Sequence, residues 1–94
     1  MSGGRFDYKQ YVLGYIADQI EEYIVKNGSN ELDEWGDPRY PTFAAETITE
    51  FTNAVRALRT AEIYAQRVDW LLSGDDGEDS FHSRLRDELT RSNR

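Results

Sequence analysis

Between residues 51 and 72, apolar side chains recur at gaps of three and four: Phe51, Val55, Leu58, Ala61, Ala65, Val68 and Leu72. This period matches the turn of an α-helix and lays all seven along one seam, which must be covered by a facing helix. The two alanines in the seam, Ala61 and Ala65, allow close approach. Thr47 and Glu50 stand in capping-box positions, so the helix is expected to start between Thr42 and Ile48, and Gly74 supplies its stop. A helix over about 44–72 rises roughly 37 to 44 Å, against about 30 Å for the helix predicted before it. Subunit association is expected to cover part of the overhang.

The earlier helix is predicted over about 7–26, capped by Asp7 with Gln10 three residues on and stapled by Phe6 and Tyr11. Val12, Leu13, Ile16, Ala17, Ile20, Tyr23 and Ile24 fall on one arc, with Gln10, Gly14, Asp18 and Glu21 opposite; Asn27-Gly28 ends the helix. Residues 27–41 are dense in turn formers and read as a long loop, with Leu32, Trp35 and Tyr40 folding back as a lid over the core. A third helix over about 76–89 starts at Asp76 as cap and carries a thin stripe of Phe81, Leu85 and Leu89. The expected architecture is a single all-α domain over residues 1–94. It is a small three-helix bundle with a long central helix, the first two helices antiparallel, the third folded across them and the whole oligomeric.

With 94 residues a core is small, which again favours self-association. The chain has no cysteine, which removes disulfides and thiolate metal sites. No apolar run approaches the roughly 20 residues of a membrane span, and Met1 to Arg5 lack a signal peptide's apolar stretch, so a cytoplasmic protein without membrane contact is expected, with loss of Met1. Eighteen acids against eleven bases give a net charge of −7, which disfavours attachment to duplex DNA. The acids gather in two turn-rich segments, Glu31, Asp33, Glu34 and Asp37, then Asp75, Asp76, Glu78 and Asp79.

Catalytic chemistry finds poor material. His82 is the one histidine, and its neighbours Ser80 and Ser83 are not placed to share its helix face, so no nucleophile and base pair is expected and the protein is read as a non-enzyme. The run from Ser73 to Ser80 invites a calcium loop, but with Gly77 as the loop glycine, Leu72 and Gly74 fall where ligands belong and Ser83 falls where Glu is required. No metal or cofactor is expected. Gly3 and Gly4 precede the first helix and could bring backbone N–H groups to a phosphate, or be a flexible end.

The long helix holds the more informative pattern. Arg56, Arg59, Arg67 and Trp70, with Ile63 among them, fall within about 80° of one another and away from the seam. Guanidinium groups grip phosphate oxygens in pairs and an indole stacks on a base. The competing reading is internal pairing with Glu46, Glu50, Glu62 and Asp69, and burial of Trp70 under the loop. On the first helix Tyr8, Tyr11 and Tyr15 form an aromatic edge, either a flank for a planar anion or a contact between subunits. The candidate ligand residues are Gly3, Gly4, Tyr8, Tyr11, Arg56, Arg59, Arg67 and Trp70.

Two strings carry a resemblance: Met-Ser-Gly-Gly-Arg-Phe-Asp-Tyr at 1–8 and Trp-Leu-Leu-Ser-Gly-Asp-Asp-Gly-Glu-Asp-Ser-Phe at 70–81. They resemble a widespread set of small helical proteins associated with phages and prophages, a set with no catalytic assignment to transfer. The resemblance implies an accessory or anti-defence role inside a host cytoplasm. The expected function is sequestration of a small phosphate-bearing ligand, such as a nucleotide immune signal, by a homo-oligomer. Two alternatives stand: an acidic nucleic-acid mimic that inhibits a host protein, and a structural oligomerisation protein.

Overall fold

The computed structural model describes residues 6–92. They form three helices in chain order: α1 (Gln10–Val25), α2 (Ala45–Leu72) and α3 (Glu78–Ser92). The fold is all-α, and α1 packs against α2 more extensively than α3 does. Cross-helix partners run in opposite order, Gln10 with Gln66 and Asp69 and later Arg59 with Asp18 and Glu21, so α1 and α2 are antiparallel. No described residue of α1 packs against α3. The third helix therefore lies beside α2 alone rather than across the pair.

The long helix begins at Ala45 with Ala44 as its N-cap and no side-chain cap, so Thr47 and Glu50 lie within the first turns and do not form the expected box. Its end is as the sequence implies: Gly74 takes φ +83° and Gly28 ends α1 similarly at +78°. The start of α1 differs from the reading of Asp7 as a cap. Asp7 and Tyr8 both adopt left-handed backbone, φ +52° and +64°, and the helix starts at Gln10. For residues other than glycine such a conformation costs on the order of 1–2 kcal/mol each. A tether accounts for it: the Phe6 N–H donates to Asp69 Oδ1 at 3.3 Å, fixing the entering chain on α2, and the two left-handed residues turn it into α1. Phe6 then lies with Leu13 and Ala65 around a groove rather than stapling to Tyr11.

The larger departure concerns which side of α1 meets α2. Its buried residues are Gln10 and Gly14, from the stripe read as solvent-facing, and Ala17 from the apolar arc, while Tyr8, Val12, Tyr15, Ile16 and Tyr23 are exposed. Polar geometry selects this face. Gln10 Nε2 donates to Gln66 Oε1 at 2.7 Å and to Asp69 Oδ2 at 3.3 Å, and Arg59 reaches over the buried Gly14 to Asp18 at 2.7 Å and Glu21 at 2.5 Å. Gly14 matters here because a Cβ at that position would stand 2.6 Å from the Glu62 carboxylate. Among the described residues, Ala17 and Val55 are the buried apolar side chains.

Residues 27–41 do not form a lid. Leu32 and Pro38 make an antiparallel bridge, and Asp33 Oδ1 accepts the Trp35 and Asp37 N–H groups at 2.9 and 3.0 Å, shaping a small hairpin with Trp35 at its tip. Trp35 is 77% exposed and Leu32 60%. Only Tyr40 of the expected three packs inward, edge-on to Tyr23 with ring centroids 5.7 Å apart.

Candidate functional site

The arginine stripe resolves into three different environments. Arg59 sits at the α1–α2 interface, bonded to Asp18 and Glu21, and the hydrogen bond to Asp18, reinforced by Glu21, raises its pKa further. Arg67 is buried between α2 and α3. Its Nε donates to Glu88 at 2.5 Å, its Nη1 lies 3.5 Å from Asp76 Oδ2, and its guanidinium carbon is 4.3 Å from the Trp70 ring centroid. Arg56 is exposed, forms no ion pair among the described residues, and lines a groove of about 290 Å³ with Glu21, Ile24, Val25, Thr52 and Val55.

Asp76 is the residue whose role the sequence concealed. Read as a helix cap, it is instead ion-paired with two arginines: Arg84 Nη1 donates to its Oδ1 at 3.0 Å, while Arg67 Nη1 lies 3.5 Å from Oδ2 without a hydrogen bond. The Ser80 hydroxyl also donates to Oδ1 at 3.2 Å, and only 2% of the Asp76 side chain is exposed. The start of α3 is served by Ser80, which accepts the Gly77 N–H at 3.2 Å. Asp76, Arg67 and Glu88 thus fasten α3 to α2. The sequence offered a hint in the Asp76 to Ser80 to Arg84 spacing of four, which puts the three on one helical face.

The aromatic edge of α1 is less committed. Tyr8 and Tyr11 stack on each other with centroids 6.1 Å apart and planes at 23°, and both are about half exposed. They sit near the Asp69 end of α2, since Gln10 between them bonds to Asp69. Arg56 lies thirteen residues earlier on α2, about 20 Å away along the helix. One chain therefore keeps the tyrosines far from Arg56 along the helix. Gly3 and Gly4 lie outside the described residues.

A second surface surrounds the hairpin and joins part of the acidic segment at 31–37 to Trp35 and Tyr40 of the expected lid. Glu22, Tyr23, Asp33, Glu34, Trp35, Arg39 and Tyr40 line a groove of about 630 Å³. Tyr40 donates its hydroxyl to Glu22, which raises the phenol's pKa, and Lys26 approaches the Tyr40 ring while pairing with Glu31. The hydrogen bond from Lys26 holds the Glu31 carboxyl below the usual range.

His82 is exposed on α3 and edge-on to Phe81. No cluster of metal-ligating side chains occurs among the described residues, and no described helix is long and apolar enough to cross a membrane. No protein family, curated protein or solved structure matches the chain.

Proposed function

We propose that the protein is a non-catalytic, oligomeric helical binder that sequesters a small phosphate-bearing ligand of the nucleotide class, an accessory role of the anti-defence kind. The observation that carries this reading is the exposed Tyr8–Tyr11 stack: a paired aromatic surface left out of the intramolecular packing is a platform for a planar base. The phosphate is assigned to Arg56, the member of the stripe without a carboxylate partner among the described residues. The separation of Arg56 from the tyrosines means that they share one ligand only when supplied by different subunits. The exposed apolar arc of α1 supports such assembly, because Val12, Tyr15 and Ile16 gain from burial against another copy.

Thermal-shift and calorimetric titration with a panel of cyclic and linear nucleotides tests the proposal. A ligand at a hundredfold excess over its Kd stabilises by about 2.7 kcal/mol, a shift of roughly 10–20 °C for a domain of this size. The Tyr11→Ala and Arg56→Ala variants are expected to lose that shift while keeping wild-type helicity. A panel in which no nucleotide raises the melting temperature sinks the reading. The structural oligomerisation alternative is favoured by a separate observation, the engagement of Arg59 and Arg67 by two carboxylates each. It expects assembly with no response to any nucleotide.

A further inference from the structure

The Trp35 hairpin holds a large aromatic side chain in water on an ordered turn. The Asp33 carboxylate fixes the turn through the Trp35 and Asp37 N–H groups, the Asp33 N–H donates to Asp37 O at 2.8 Å, and the Arg39 N–H donates to Glu31 O at 2.9 Å. Glycine at 36, with φ +82°, completes the bend. The conformation is fixed before any partner arrives, which removes much of the ordering cost that weakens loop-mediated binding. At 77% exposure the indole is left out of the packing of the chain. Tryptophan is also the residue type most enriched where binding energy concentrates at protein interfaces.

The surroundings state the chemistry of the occupant. The groove beside Trp35 is walled by the rings of Tyr23 and Tyr40 and carries three carboxylates, Glu22, Asp33 and Glu34, against the single guanidinium of Arg39. Asp33 is spent on the turn and Glu22 on the Tyr40 hydroxyl, whereas Glu34 forms no ion pair among the described residues. Aromatic faces and a carboxylate rim attract cations and repel phosphates, so this groove is unsuited to the ligand assigned to the tyrosine stack. A second copy of a chain with net charge −7 would meet like charge here. We infer that the Trp35 hairpin, with Tyr23, Tyr40 and Glu34, is a docking site for a basic segment of a partner protein, taking an arginine or lysine side chain beside an apolar one.

This surface is separate from the tyrosine stack, and one labelled sample distinguishes the two. The indole N–H resonances of Trp35 and Trp70 report the exposed hairpin and the Arg67-covered ring respectively. Titration of the full chain with a short synthetic peptide alternating arginine and leucine is expected to move the Trp35 resonance and leave Trp70 in place. Affinity should fall with added salt. Trp35→Ala should weaken peptide binding at least about tenfold, and Glu34→Gln by a few-fold. Both side chains are exposed, and nucleotide-dependent stabilisation of either variant should match wild type. Absence of peptide binding, binding that Trp35→Ala leaves unchanged, or a shift confined to Trp70 would overturn the inference.

Discussion

Gly14 shows how a residue with no side chain sets an interface. Its position lets the Arg59 guanidinium donate to its carbonyl at 3.5 Å on the way to Asp18 and Glu21, while the Glu62 carboxylate occupies the space a Cβ would need. Because that obstacle is the mobile end of a long side chain, Gly14→Ala should be close to neutral. The displacement of Glu62 is offset by the helix preference for alanine, about 0.8–1 kcal/mol over glycine. A larger residue has no such escape: Gly14→Leu should destabilise by about 1–3 kcal/mol through overpacking. Urea denaturation of the two variants checks the contrast, and equal losses would contradict this account. In sequence Gly14 read as part of a polar, solvent-facing stripe, because periodicity records where apolar residues lie and not how closely two backbones approach.

At the scale of elements, α3 depends on α2 through a few charged contacts. Arg67 is buried with Asp76 and Glu88 as its carboxylate partners, and removing it leaves an enclosed Asp76 facing Arg84 alone. Arg67→Ala is expected to cost on the order of 2–3 kcal/mol, below the usual figure for a fully buried pair because Glu88 is partly solvated. The loss should be local. Amide exchange should accelerate throughout α3 while the α1–α2 pair keeps its protection. Uniform acceleration in all three helices would instead show that the chain unfolds as one unit. The existence of the three helices and their ends at Gly28 and Gly74 were legible in the sequence. The start of α2 at Ala45 fell within the expected range, but the capping residues were not legible, since Asp7, Thr47 and Asp76 all have the chemistry of caps and none of them caps. Asp7 was displaced by the Phe6 tether to Asp69, and Asp76 was taken by arginines that sequence cannot place in space.

The whole chain is extended, with a radius of gyration of 17.4 Å against about 12 Å for a compact globule of this length. Three helices of which the outer two do not touch enclose little, and the exposed arc of Val12, Tyr15, Ile16 and Tyr23 leaves a large part of the apolar surface in contact with water. Burial of that surface between subunits would recover roughly 1.5–3 kcal/mol for each large side chain fully covered. Sedimentation equilibrium is therefore expected to return a multiple of the 10.9 kDa chain mass. Ile16→Glu should shift the equilibrium toward monomer without loss of helicity, and a monomeric wild type across the micromolar range would contradict the expectation.

By itself, the sequence determined that this chain is helical, where its two main breaks fall, and that its negative charge gathers in the turn-rich segments. Those features follow from local backbone preferences and from a hydrophobic period that survives in one dimension. Tertiary structure decided which face of α1 meets α2, which arginines are already spent on carboxylates, and that Trp35 points to solvent from a hairpin rather than closing over a core. Each of these depends on partners far apart in the chain: Gln10 with Asp69, Arg59 with Glu21, Arg67 with Glu88. Directional polar bonds between distant residues outweighed the apolar pattern, and no periodicity within a single helix encodes them.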